Sequence, residues 1–319
     1  MNRPIAFLAA LLFAAIAVSS ACIARSTPEA ISFELKTSSH AGELQLALWD
    51  RTDAHHNNMT GSSYAPKELA GLDYRAFAAS GRNPVSFALV REAGRVDCVG
   101  TSSNNLATGT CSFTADPSFA DYLAAHGIAR PNRDEAFGLT MTHASRALVE
   151  ALASNNYPRP TVDELTALSA LDVSGGYIAS LSRAGLRPKS LDELTQFAAL
   201  KVTPDFIEDL KRAGFTRMNA DEIVQFKALN ITPRFISSLA GAGYPNLTPD
   251  QLTQFAALKI TPGFISGFAQ AGFRNLDVDT LVQLKALNVT PDFVRSLEAH
   301  GLHPRTADQL VKLKIGLED

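Results

Sequence analysis

Three sets of residues in this chain could do chemistry: the adjacent His55-His56 near Asp53, the cysteines Cys98 and Cys111, and the carboxylate pairs Asp192-Glu193 and Asp221-Glu222. Two neighbouring histidines in the polar stretch DAHHNNMTGSS fall short of the three or four converging ligands that a usable metal site needs, so no metal is expected. Paired carboxylates could serve as acid and base. Both pairs, however, fall where a helix begins, and there a carboxylate completes the cap and complements the helix dipole. The chain has no H-E-x-x-H, no G-x-S-x-G elbow and no Gly-rich phosphate loop. The expectation is a protein without catalytic residues, bound metal or cofactor.

The cysteines have a geometric reading. If Asn104-Asn105 is a two-residue turn with positive φ, Cys98 stands as far before Asn104 as Cys111 stands after Asn105. The two then face each other across a hairpin, within disulfide reach. A disulfide there excludes a thiolate nucleophile.

The elements that position these residues fall into two classes. Over 27–115 the apolar residues alternate with a period of two: Ile31, Phe33, Leu35; Leu44, Leu46, Leu48; Val85, Phe87, Leu89; Val96, Cys98; Cys111, Phe113. This predicts a small antiparallel β-sheet domain. A short helix is expected over 66–80, with Leu69, Leu72 and Phe77 inward.

From Asp116 the period changes. Thr-Pro recurs at Thr203, Thr232, Thr261 and Thr290, in steps of 29 residues, which marks a repeat array. In the clearest unit Ser190 and Glu193 cap a helix A with Leu194, Phe197 and Leu200 on one stripe. Thr203 then caps a helix B with Pro204 at its first position, burying Phe206, Ile207, Leu210 and Ala213, and Gly214 ends it. The register extends to Ser174, Ser145 and Asp116 as B caps and gives Gly127, Asn156, Gly185, Gly214, Gly243, Gly272 and Gly301 as B stops. The A caps are Asn132, Thr161, Ser190, Asn219, Thr248, Asp277 and Thr306. The fold class is therefore α+β: the β domain, then an α-solenoid over 116–319 of about seven helix pairs.

Helix A reads TQFAALK, VQFKALN, TQFAALK, VQLKALN from residues 195, 224, 253 and 282. Lys201, Lys227, Lys259 and Lys285 thus alternate between two register positions three apart, which on a helix share a face. They are either dipole complements at a helix end or a cationic ladder for an acidic partner. Gln196, Gln225, Gln254 and Gln283 form a parallel ladder, either solvated surface or a polar contact stripe.

The first residues carry one Arg, an apolar run from Ile5 to Val18 and small residues after it, which reads as a secretory signal peptide over 1–21. Ser20-Ala21-Cys22 is similar to a bacterial lipidation site but departs from it at Ser19, where that motif takes Leu, Val or Ile. An outer-membrane lipoprotein through Cys22 therefore stands beside a plain cleaved leader. Beyond the leader no apolar run of spanning length exists. A net charge of −3 has no basic excess, so nucleic acid is not an expected partner.

The units LDELTQFAALKVTPDFIEDLKRAGF and PDQLTQFAALKITPGFISGFAQAGF resemble the G-V-T-P-x-[YF]-[IV] helical repeats found as periplasmic extensions of membrane-embedded zinc peptidases of the beta-lactam-sensor antirepressor class. Such repeats also occur in stand-alone exported bacterial proteins, whose β region the segment from Val85 to Phe119 is similar to. The peptidase's own motif and membrane helices are missing, so the resemblance carries over no protease activity. It implies a periplasmic or secreted protein. The expected function is non-enzymatic: an extended surface for a protein or cell-envelope partner. The alternative is a ligand-binding sensor or carrier acting through the β domain.

Overall fold

The computed structural model describes residues 31–40, 42–49 and 59–316. The leader expected over 1–21, Cys22, and His55-His56 with Asp53 lie outside the described residues. Strands β1 (Ile31–Thr37), β2 (Leu44–Trp49), β3 (Met59–Tyr64), β4 (Leu69–Ala70), β5 (Asn83–Arg91), β6 (Gly94–Ser103) and β7 (Leu106–Ala115) form one sheet in the order β3-β2-β1-β7-β6-β5-β4. One short helix, α1 (Tyr74–Ala78), lies between β4 and β5. Fourteen helices follow, α2 to α15, with no strand after Ala115 among the described residues. Two compact units result: one ends at Phe87 and takes in Asp97–Ser112, the other holds Ala88–Val96 and everything from Phe113 on.

The sheet unit is built on alternation. Ile31, Phe33 and Leu35 of β1 and Leu44, Leu46 and Leu48 of β2 are buried, and the intervening side chains are more open. β1 lies antiparallel to both β2 and β7, with Leu35 opposite Leu46 and Phe33 opposite Gly109. Asn104 and Asn105 take φ of 51° and 64°, the backbone of a tight hairpin turn. Cys98 and Cys111 are disulfide-bonded across that hairpin, with Cα atoms 4.0 Å apart. Two residues nearer the turn Gly100 faces Gly109, and a Cβ on Gly109 would lie 2.2 Å from the Val99 carbonyl and 2.7 Å from the Phe33 ring. Only glycine fits there: the fully buried Phe33 ring occupies the space a side chain would need.

The sequence reading of 51–83 is corrected in two places. Met59–Tyr64, placed in a polar loop, is an edge strand paired with β2, held by backbone bonds that its polar side chains do not signal. The helix expected over 66–80 is only Tyr74–Ala78. A single 3₁₀ turn at Pro66–Glu68 and β4 precede it, and Gly71, with a φ of 83°, interrupts any longer helix. Asp73 then caps α1 by accepting from the Arg75 and Ala76 amides, with Phe77 buried and Leu72 half-buried.

The helical unit follows the 29-residue register in every layer. The B helices are α2 (Pro117–Ala125), α4 (Arg146–Ser154), α6 (Gly175–Arg183), α8 (Pro204–Arg212), α10 (Pro233–Gly241), α12 (Pro262–Gln270) and α14 (Pro291–Ala299). The A helices are α3 (Arg133–Met141), α5 (Val162–Ala170), α7 (Leu191–Ala199), α9 (Ala220–Ala228), α11 (Pro249–Ala257), α13 (Val278–Ala286) and α15 (Ala307–Gly316). A helices pack on A helices and B helices on B helices, from one layer to the next. Their cap hydroxyls are engaged as expected, for example Thr232 Oγ1 accepting from the Phe235 amide at 3.2 Å. Glu164 and Glu222 close reciprocal capping boxes, whereas Glu193 reaches one residue further back, to the Lys189 amide at 2.7 Å.

The helix ends are equally regular, and half of them were missed in the sequence. Gly127, Asn156, Gly185, Gly214, Gly243, Gly272 and Gly301 have positive φ after each B helix, as expected. A second row, His143, Asp172, Lys201, Asn230, Lys259 and Asn288, has positive φ after the six A helices from α3 to α13. The next residue in each case is apolar and buried, and its amide bonds back into the last turn, as Val202 does to the Phe197 carbonyl at 2.8 Å. The array begins on the turn between β5 and β6: Ala93 is buried with Phe119, and the Arg146 guanidinium lies over the Phe119 and Tyr122 rings while bonding Glu92 at 2.9 Å.

A left-handed lysine is strained where a glycine is not. Lys259→Gly should therefore raise stability by a few tenths to about 1 kcal/mol, whereas Lys227→Gly, inside helix α9, should lower it by about 1 kcal/mol. Chemical denaturation of the two variants reads the signs directly, and a loss at both positions would contradict the assigned helix ends.

Candidate interaction surface

The residues singled out on the A helices divide into three environments. Gln196, Gln225, Gln254 and Gln283 are all exposed, one per layer, on α7, α9, α11 and α13. Among the described residues none of these carboxamides has a hydrogen-bond partner, so each presents a donor and an acceptor outward. Lys312, exposed on α15, continues the row. One turn before each glutamine stands an exposed aspartate, Asp192, Asp221, Asp250 and Asp279, and one turn after it an exposed alanine, Ala199, Ala228, Ala257 and Ala286. These positions share one face of each helix. The same Asp-Gln-Ala surface is thus presented by four successive layers. Asp134 and Asp163 extend the aspartate row through α3 and α5, and Asp308 through α15, although Gln is absent there.

The lysines do not form the single ladder that their spacing suggested. Lys201 and Lys259 lie beyond the ends of α7 and α11, exposed on left-handed backbone. Lys227 and Lys285 lie within α9 and α13, half-buried, with Nζ 4.6 Å from the Phe206 ring centre and 4.7 Å from that of Phe264. Lys314 of α15 sits over Phe293 in the same way. The positions three apart do not share a face because the helix has already ended at the later one. Phe206, expected to be buried in its B helix, and its register equivalents need a matching correction. Phe206, Phe235 and Phe293 are half-buried rather than central, and the deepest B positions are leucines such as Leu210 and Leu239. Each lysine shields the open face of a ring on the preceding B helix.

Half-buried tyrosines tie adjacent elements together. The Tyr177 hydroxyl donates to the Val202 carbonyl at 2.9 Å, linking α6 to the turn after α7. Burial pushes its phenol up to about 12, and the neighbouring Tyr157 adds to the shift. Tyr244 donates to the Leu276 carbonyl, and burial, followed by the charge of Asp277, raises its pKa too. Among the described residues no group of three His, Cys, Asp or Glu is placed to hold a metal ion, and no helix is long and apolar enough to cross a membrane. No family model matches this chain, and no curated protein matches it.

Two predictions follow from this arrangement. Lys227→Ala should cost about 0.5–1 kcal/mol through the lost ring contact, Lys201→Ala close to nothing, and Phe226→Ala about 3–5 kcal/mol. Equal losses for the two lysine variants would remove the stacking role. For Tyr177 the folded pKa is raised above the unfolded 10.0, so the folded state holds the proton more tightly. Its contribution to stability is fully present below the unfolded value and is lost as pH rises to about 12. An ultraviolet titration should show a late-ionising phenol at about 12 that Tyr177→Phe removes.

Proposed function

We propose that this is a non-enzymatic repeat protein whose A-helix face binds a protein or cell-envelope partner. The observation that carries the reading is the fourfold Asp-Gln-Ala surface. Folding of each layer needs the buried stripe and the caps, and the first-turn aspartates also complement the helix dipole, but neither demand fixes an exposed mid-helix glutamine, so its identity in four layers, beside aspartates left without ion pairs among the described residues, supports a role outside the chain. Stacked helices lie about 8–10 Å apart, so the rows offer an evenly spaced ladder of amides and carboxylates. Exposed aspartates without ion pairs among the described residues favour a partner rich in cations or hydrogen-bond donors. The lysines, stacked on rings or set in turns, are secondary to that contact.

The leader-like N-terminus and the resemblance to exported periplasmic repeats support a periplasmic or secreted location, with lipidation at Cys22 as the means of retention at the outer membrane. The disulfide fits an oxidising compartment. The alternative, a sensor or carrier acting through the sheet, is favoured by one observation: Val99, 60% exposed, and Leu106 present apolar surface on β6 and β7.

A photo-crosslinking residue placed at Gln225 or Gln254 of the full chain, and separately at Val99, tests the choice in envelope extracts. The same adduct from both glutamine positions, lost when Asp221 and Asp250 are changed to Asn, is expected. Adducts from Val99 alone would move the binding function to the sheet.

A further inference from the structure

Two grooves open where a B helix turns into the next A helix, two layers apart, and they are built from register-equivalent residues. The first lies against Ala184, Gly185, Ile207 and Phe215 and has a volume of about 40 Å³; the second lies against Ala242, Gly243, Ile265 and Phe273 and has a volume of about 380 Å³. A side chain lining the first accounts for much of the difference. Lys211 of α8 lies there, its Nζ donating to the Ala184 carbonyl at 2.7 Å and meeting Glu208 at 2.9 Å. Ala269 of α12 lines the second groove at the same register position, and its methyl leaves that space open.

The occupied groove shows what the site accepts. Ala184 is the C-cap residue that follows α6, so its carbonyl sits at the negative end of the helix dipole, where a cation is favoured. The methylenes of Lys211 cover the apolar walls while its ammonium meets that carbonyl. Helix α4 is closed in a related way, by the Arg187 guanidinium donating to the carbonyl of its C-cap residue, Asn155. Ala242 is the corresponding residue of α10, and among the described residues no side chain donates to its carbonyl. The groove at α10 thus has the apolar walls and the acceptor but lacks the lysine.

We propose that the groove beside Ala242 binds a lysine side chain presented by a partner polypeptide. An unbranched chain ending in a primary ammonium reproduces what Lys211 supplies in the sibling groove. A free alkylamine has too few atoms to be held firmly, whereas a polypeptide adds contacts around the same ammonium. Arg274 lines the second groove where Thr216 lines the first, and Asp277, next in the chain to the lining residue Leu276, stands where Asn219 stands two layers earlier. Asp277 favours the cation. Arg274, exposed on the rim at the register position of Arg187, is the local competitor for the carbonyl. The inference gives the partner a chemistry that suits the aspartate row, but it rests on the groove alone.

The test is an amide NMR titration of the full chain with a glycine-flanked peptide carrying one lysine, against the same peptide with Nε-acetyl-lysine. The lysine peptide should shift Gly243 and Tyr244, and acetylation should weaken the response about tenfold or more by removing the charge. Ala269→Lys should abolish the response by filling the groove in cis. Lys211→Ala should create a second response at Gly185 and Leu186, and Arg274→Ala should tighten binding at Gly243. Equal binding of the acetylated peptide, a response retained in Ala269→Lys, or no response at about 10 mM peptide would overturn the proposal. Weakening by Arg274→Ala would overturn it in favour of an anionic occupant, and n-butylammonium binding as tightly as the peptide would overturn the polypeptide source. Replacing Gln225 and Gln254 by alanine should leave these shifts in place, so failure here is distinguishable from failure of the A-helix surface.

Discussion

A nine-residue helix does not persist alone in water, and every helix from α2 to α14 has nine residues. The helical unit therefore depends on ending each helix in the same place. A cap hydroxyl, amide or carboxylate satisfies the first free amides, and a left-handed residue followed by a buried apolar one satisfies the last free carbonyls. With both ends pinned, the stripes of successive layers meet in phase. Leu194, Ile223, Leu252, Leu281 and Leu310 then stand at one register position, each almost fully buried. The core is a consequence of the punctuation as much as of the hydrophobic pattern.

That dependence explains what was legible in the sequence. The A and B starts could be placed to the residue because Ser190, Thr203 and their equivalents act within three residues of themselves. Cys98 with Cys111 was legible for the same reason, since Asn104-Asn105 sets the hairpin register locally. Met59–Tyr64 was not, because an edge strand of small polar residues is held by what lies beside it, here β2. The stops of the A helices were missed because lysine, histidine and asparagine share that position and no single residue type marks it, whereas glycine marks most of the B stops.

The candidate surface was half legible. Gln196, Gln225, Gln254 and Gln283 point outward as their spacing required. The lysine pattern failed because two residues three apart share a face only while the helix continues, and it ends between Lys227 and the position that Lys201 and Lys259 occupy. What lies over Phe206 and Phe264 is decided by the next layer, 21 residues further along in each case, and no local rule reaches that far.

A strict backbone repeat separates the residues that build a layer from those that distinguish it. Because α8 and α12 end at matching places, a single side chain decides whether a groove between layers is closed: Lys211 occupies one, and Ala269 leaves its counterpart open. The same holds on the A face, where Lys227 and Lys285 cover aromatic rings while Ala198 and Ala256 take that register position in the alternate layers. Such differences carry little folding cost, since the caps and buried leucines are unchanged by them. Exposed positions can therefore vary between layers without disturbing the stack, and the glutamine that nevertheless recurs in four layers is a position that neither the caps nor the buried stripe requires.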